Sequence, residues 1–362
     1  MNGKPQRVFM IVPILVVVAV FVSYFYGWEI GARMHPDSTA HDMAELTQLV
    51  NEQIDNGRES GTFYIKGISE DEIANINEYI CSMNGVVEQF SIVEKSRGGM
   101  RVLLKYDISD NYYVYRKYVN GEAIPSDRPA AHKLYEYVVN IIDEIIEPGM
   151  SDYEKELAIH DYIVQNCEYG YTDYSKEYAY RAYGVLVQNT AVCNGYAEAM
   201  ALLLSCVGVE NEIMTGVADG ELHAWNRVKL DGKWYQVDAT WNDPLPDRGS
   251  FAGHMYFNVT DDIMDDMHEW DEDLFEACTD MEYNYFEKNN LICDYDSFVN
   301  VVNKAASRNI TGTIEVVVND FDEKVYNWEE LFRDSPGVLY YSYDYEPYGE
   351  YDVITIYLNQ GN

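Results

Sequence analysis

The stretch from Glu221 to Thr240 restricts this chain more than any other part of it. ELHAWNRVKL and KWYQVDAT are two β-rich segments joined by Asp231-Gly232. Asp-Gly between two such runs marks a two-residue hairpin turn, and a turn that short fixes the register of its strands. With Leu230 opposite Lys233, facing residues have numbers that sum to 463, so Trp225 faces Asp238. His223 lies two residues from Trp225 on the same strand face, diagonal to Asp238, at roughly 5.5–8 Å between Cβ atoms. A carboxylate at that range binds one imidazole nitrogen, fixes the tautomer and stabilises the imidazolium, and the other nitrogen is left to face a thiol.

Upstream, AVCNGYAEAMALLLSCVG (191–208) has helical character over about three turns from Asn194 onward. Cys193 therefore falls at a helix N-terminus, where unpaired backbone N–H groups and the positive end of the dipole favour a thiolate. The thiolate is the competent nucleophile. A lone Cys before a helix is more often a packing residue. The His–Asp pair downstream is what gives this one a chemical reading.

The order Cys, His, Asp and the wording VCNGYAEA and HAWNRVKLDGKWYQVDATWNDP resemble the transglutaminase-like superfamily of thiol enzymes, and its bacterial, extracytoplasmic members in particular. MSDYEKELAIHDYIVQNCEYG is similar to the helix that leads into that family's core, and the resemblance spans about 150–260. It implies an α+β fold with a papain-like core, in which the Cys-bearing helix packs on an antiparallel sheet bearing the His and Asp. It further implies Cys193 as nucleophile, His223 as general base and acid, and Asp238 as the group that orients His223. The implied chemistry is attack on a carboxamide or peptide bond of a protein or peptide, release of an amine, and transfer of the acyl group to an amine or to water. Two other readings stay open: a cysteine peptidase or amidase acting on cell-wall or surface peptides, and a non-catalytic surface scaffold. The oxyanion site has one natural donor in the Cys193 backbone N–H. Eukaryotic members use an upstream Trp as the second, but no Trp stands between Trp28 and Trp225. Tyr183 and Gln188 are the candidates in its place. Neither a cofactor nor a metal is expected.

Lys4 and Arg7 precede a nearly unbroken apolar run from Val8 to Trp28, long enough to span a bilayer. The cations keep the short N-terminal side in the cytoplasm, so the chain beyond Trp28 lies outside the cell. An uncleaved signal anchor is favoured over a cleaved signal peptide, because the apolar run is long and no A-x-A site comes after it. The chain carries 62 Asp plus Glu against 25 Lys plus Arg, a net charge of −37. No basic stripe is present to release counterions from nucleic acid, so nucleic-acid binding is excluded as a function, and anionic lipid surfaces are disfavoured too. The six cysteines show no metal spacing and are too sparse for a disulfide framework. One of them, Cys193, must stay a thiol, and most of the rest read as small buried hydrophobes.

The sequence divides into an anchor (1–28), a stalk with an amphipathic stretch (29–58), a small α/β module (59–123), the core (124–285) and a second small module (286–362). The two modules share a β-α-β-β pattern of equal length, from Gly61 to Met100 and from Gly312 to Tyr351, with helices expected over 69–81 and at WEELF. Within the core, Ser151 to Glu154 fits a capping box. Several residues read as structural. Trp225, Trp234 and Trp241 are expected to pack beneath the hairpin, and Gly195 and Tyr196 at the helix start. His254 and His268 are expected on the surface or in loops. His160 and Asp161, adjacent on a helix, are expected to point apart. The acidic run 260–273 lacks the Gly and terminal Glu of a calcium loop and is expected to be solvated.

Overall fold

The computed structural model describes residues 38–358, apart from 81, 173–175, 177, 244–250, 273–274, 309–311, 320, 323, 327–330, 333–337 and 340. Among the described residues no helix is long and apolar enough to cross a membrane. The Val8–Trp28 run lies outside them. Two units divide the chain after Ser109.

The first unit is a four-stranded sheet. Its elements are β1 (Ser38–Ala40), α1 (Met43–Asp55), β2 (Ser60–Ile65), β3 (Gly85–Ser96) and β4 (Gly99–Ile108). The strand order is β1-β2-β4-β3. Asp42 caps α1 by accepting from the Glu45 N–H at 2.8 Å, and Leu46, Val50 and Ile54 form a fully buried stripe one turn apart. That stripe corrects the reading of residues 38–58 as stalk: α1 and β1 are parts of the sheet unit, since a stalk would leave these side chains in water. The helix expected over 69–81 is shorter. Ser69 and Glu72 form a capping box for Glu70–Ala74, a 3₁₀ turn comes next at Ile76–Glu78, and Cys81 is outside the described residues.

The second unit starts with α2 (Asp110–Asn120), ahead of the boundary expected at 123, then α3 (Pro129–Ile145) and α4 (Asp152–Asn166). The Ser151 capping box is present, with the Ser151 N–H donating to Glu154 Oε2 at 2.7 Å. Short strands β5 (Glu168–Tyr169) and β6 (Thr190–Ala191) lead to α5 (Cys193–Cys206). Ala199, Leu202, Leu203 and Leu204 are wholly buried, which puts α5 inside the core rather than on its surface. It packs on an antiparallel sheet of β7 (Asn211–Ala218), β8 (Glu221–Leu230), β9 (Lys233–Val237), β10 (Phe257–Val259) and β11 (His268–Glu269), in the order β10-β9-β8-β7-β11. The mixed helix-and-sheet fold expected from the sequence is the one found.

The unit's other sheet contains β12 (Ile292–Cys293), α6 (Tyr295–Arg308), β13 (Thr313–Asn319), β14 (Tyr341–Tyr348) and β15 (Tyr351–Leu358), in the order β12-β13-β15-β14. Both four-stranded sheets run strand 1, helix, strand 2, strand 3, strand 4, with the first pair parallel and the others antiparallel. The repeat inferred from the sequence is thus longer than it looked: each copy starts with one more short strand and helix. Most of the WEELF stretch lies outside the described residues.

Candidate functional site

Three local devices hold Cys193. Val192, in extended conformation, precedes the first turn of α5, and its N–H donates to Ala179 O at 3.0 Å. A Cβ at Gly195 would sit 2.6 Å from Ala179 O and 2.8 Å from the Ala191 Cβ, so only glycine lets these segments close on the helix start. Buried Glu198 accepts from Asn111 Nδ2 at 3.0 Å, the Ala182 N–H at 3.2 Å and Arg181 at 3.2 Å. It braces the loop against the second turn of α5.

The hairpin has the expected register, with Leu230 opposite Lys233 and Asn226 opposite Val237. His223 Nε2 donates to Asp238 Oδ2 at 2.7 Å, and His223 and Cys193 line the same cleft. Asn226 Nδ2 donates to Ala197 O at 3.0 Å, which ties the His-bearing strand to the Cys-bearing helix. Asp238, wholly buried at the end of β9, takes two more donors on Oδ1, the N–H groups of Thr240 at 2.8 Å and Trp241 at 3.1 Å. Burial opposes its charge, but the hydrogen bonds and the facing imidazole overcome it and hold its carboxyl below the usual range. Burial likewise opposes a charged His223. The Asp238 carboxylate, with a smaller contribution from Cys193, outweighs it and raises His223 well above an ordinary imidazole.

All five described cysteines are free. Burial pushes Cys167, Cys206 and Cys293 up to about 12 and Cys278 higher still, so these thiols are inert packing residues. Cys193 is only partly buried and opens, with His223 and Trp241, on a cleft of about 580 Å³. Glu315, Asp344 and Glu346, on one face of the β13–β15 sheet, line its other wall.

Neither Tyr183 nor Gln188 is among the residues lining this cleft. Both flank or end a π-helical turn, Gly184–Gln188. The Tyr183 ring packs on Tyr178 at 4.3 Å, and Gln188 Oε1 is buried without a partner among the described residues. Tyr169, on β5, does line the cleft, and its phenol is pushed up by burial and by the charge of Cys193. Its only signal in the sequence is its place in CEYG (167–170), directly after the helix that leads into the core.

Four other expectations change. His268 is fully buried, and its Nε2 donates to the same Asp238 oxygen as His223 does, at 3.0 Å. His254 is buried between Asp161 Oδ1 at 2.9 Å and Glu315 Oε2 at 3.4 Å, stacked on Tyr285 at 3.6 Å. His160 and Asp161 do pair, at 2.9 Å, because Asp161 Oδ1 sits between the nitrogens of His160 and His254. Trp225 and Trp234 pack under the hairpin as expected, but Trp241 lines the cleft.

His160, Asp161 and His254 converge closely enough to suggest a metal ligand set. The Tyr256 N–H occupies Asn242 Oδ1 at 2.8 Å, so the Asn242 amide nitrogen is what faces His160 Nε2 at 2.9 Å. That makes Nε2 an acceptor and puts the hydrogen on Nδ1, directed at Asp161. The group is a satisfied hydrogen-bond chain, and a metal on Nδ1 would need the opposite tautomer.

Residues 139–239 match the profile of the Transglutaminase-like superfamily. Kyphoscoliosis peptidase of Mus musculus is 27% identical over 121 residues, which are 30% of this chain and 18% of the mouse protein. The Homo sapiens protein of that name is 26% identical over 121 residues, with the same shares. The aligned stretch thus spans less than a fifth of these relatives' length. A crystal structure of a TGase aligns over 56% of this chain and 59% of its own, at 16% identity and a TM-score of 0.27. At that score the likeness carries no weight for the chemistry.

Proposed function

We propose that this chain, which contains a transglutaminase-like domain over residues 139–239, is a thiol enzyme that cleaves carboxamide or peptide bonds through a Cys193 thioester. The observation that carries the reading is the His223–Asp238 hydrogen bond with Cys193 and His223 opening on one cleft. The raised His223 favours an imidazolium beside the thiol, the partner that a thiolate nucleophile needs. Attack by Sγ on the carbonyl carbon forms a tetrahedral intermediate. The C–N bond then breaks as the His223 imidazolium gives its proton to the departing amine. The neutral imidazole next takes a proton from an incoming amine or water, whose attack releases the thioester.

The negative oxygen of the intermediate needs donors in place beforehand. The first-turn N–H of Cys193 supplies one, and the hydroxyl of Tyr169, which lines the same cleft as Cys193, supplies the second in place of Tyr183 or Gln188. The peptidase name of the mammalian relatives favours water as the acceptor over part of the core. The substrate is a protein or peptide outside the cytoplasm, cell-wall peptides included, and Val8–Trp28 anchors the enzyme at the membrane.

The test is incubation of the protein with a glutamine-containing peptide and a labelled primary amine. Amine incorporation or peptide cleavage that vanishes in Cys193→Ala is expected. Activity that persists in that variant sinks the reading. Incorporation identifies a transferase; cleavage or deamidation alone identifies a hydrolase. Membrane fractionation of the full chain and of a form lacking residues 1–28 tests the anchor.

A further inference from the structure

His268 stands where neither filling nor surface exposure accounts for it. Its ring is fully buried among Trp241, Trp225 and Tyr256, at centroid distances of 4.6, 5.1 and 5.5 Å. Nε2 reaches Asp238 Oδ2, while Nδ1 is buried without a hydrogen-bond partner among the described residues. A residue that leaves a ring nitrogen unpaired inside an aromatic cage is a poor filler, and Leu or Met would occupy the space without that cost. Its one polar contact among the described residues is the bond to Asp238. Because an ionised carboxylate only accepts, Nε2 carries the hydrogen of this bond.

The register of the sheet explains how the contact arises. On β7, Gly216 pairs with His223 of β8 and Ala218 pairs with His268 of β11. Positions 216 and 218 share a face, so the two histidines flank β7 and point the same way. Gly216 is required between them: a Cβ there would lie 2.2 Å from Glu269 O and 2.9 Å from the Trp225 ring. The two imidazoles therefore converge on one oxygen, at 2.7 and 3.0 Å, while two backbone N–H groups hold the other oxygen. All four acceptor directions of the carboxylate are occupied.

We propose that His268 is a positioning residue of the site: by donating to the oxygen that His223 also uses, it holds the Asp238 carboxylate in one orientation and limits how tightly His223 keeps its proton. This rests on the proposed roles of Cys193, His223 and Asp238. An oxygen that serves two donors gives each less than it would give one. His223 must release its proton to the leaving amine and take another from the acceptor, so an imidazole held too tightly by Asp238 stalls after the first half-reaction. The competing bond from His268 keeps that proton transferable. The other titratable groups lining the cleft with His223 include Cys193, Tyr169 and Tyr256, the carboxylates of Asp219, Glu221 and Asp243, and those of Glu315, Asp344 and Glu346 across the cleft. Of these, only Tyr256 packs on the His268 ring, and His268→Met and His268→Gln both keep that cage filled.

The experiment measures the rate of iodoacetamide alkylation of Cys193 against pH in the full chain, with Cys193→Ala as background. The variants are His223→Ala, His268→Met, which fills the cage without a donor, and His268→Gln, which keeps an N–H. In the unsubstituted protein, deprotonation of His223 appears as a step on the alkaline side. His268→Met is expected to move that step up by about one pH unit, a tenfold change in the proton equilibrium, and His268→Gln to restore it. A step that stays put or moves down in His268→Met overturns the proposal, as does His268→Gln behaving like His268→Met. If His268→Met does not fold, His268→Leu replaces it; if neither folds while His268→Gln does, the residue is structural and the proposal is overturned. A profile unchanged in His223→Ala would instead remove the reading of the site itself.

Discussion

Glu156 offers a direct test of the physics that surrounds the site. It lies on α4 with no exposed surface. Oε2 accepts from Asn258 Nδ2 at 3.0 Å, and Oε1 has no partner among the described residues. Burial raises its pKa from 4.5 to about 8, and the bond from Asn258 offsets only part of this. The folded protein therefore keeps a proton that the unfolded chain releases above about pH 4.5. The contribution of Glu156 to stability must fall as pH rises from there to about 8, and then level off. The gap from 4.5 to about 8, at about 1.4 kcal/mol per pH unit, amounts to about 5 kcal/mol. That is a ceiling, because opening one turn of α4 to water would relieve it.

Glu156→Gln keeps the shape and removes the ionisation. At pH 5 the variant and the unsubstituted protein should agree within about 1 kcal/mol, the effect of changing one neutral hydrogen bond. By pH 8.5 the variant should be the more stable by several kcal/mol. Urea unfolding followed by circular dichroism across pH 5–9 measures the difference, and every other titrating group cancels between the two proteins. A difference that does not change with pH, or a variant less stable at pH 8.5, would refute a protonated buried Glu156.

Three further substitutions probe the site and its surroundings. Asp238→Asn turns an acceptor of four hydrogen bonds into a group that presents N–H to donors. It should lower stability by about 3–5 kcal/mol, as breaking a buried charged pair does, and turnover by about 10⁴-fold, measured by urea unfolding and the peptide assay. Tyr169→Phe should lower kcat about 100-fold with KM little changed, the signature of a lost oxyanion donor. An unchanged kcat would leave Tyr169 as cleft lining only. Glu315→Gln removes one of two carboxylates from His254, whose pKa is raised to about 9 by Asp161 and Glu315 against the opposing effect of burial. Since the folded value is the higher one, the lost stability should be fully visible below pH 6.5 and should fade as pH passes about 9, in thermal unfolding of both proteins.

Short connections are what made parts of this fold legible in the sequence. The Asp231-Gly232 turn determines which residues of β8 and β9 face each other, and the His223–Asp238 contact comes from counting along them. The helix bearing Cys193 is legible from its apolar run. The first strands of the two repeated sheets are not: β1 has three residues and β12 two, too few for alternation to show. Without β1, α1 loses its context and reads as a stalk.

The histidines escape the sequence for a related reason. β8 approaches β7 through a tight turn, whereas β11 reaches the opposite edge of β7 from 30 residues beyond Asp238, as a strand of only two residues. No periodicity survives in two residues, and no turn type sets their register. His254 is harder still, since one of its carboxylates comes from β13, in a different sheet. In each case a histidine with no sequence neighbour of consequence is buried against a carboxylate. Burying an imidazole costs free energy unless a partner offsets it, so a full complement of partners at His254 and a single one at His268 are physical facts of different weight. The first ties α4 to β13. The second leaves a nitrogen without a partner among the described residues, beside the proposed catalytic carboxylate, and a fold that tolerates this gains from it only if the Asp238 bond matters to His223.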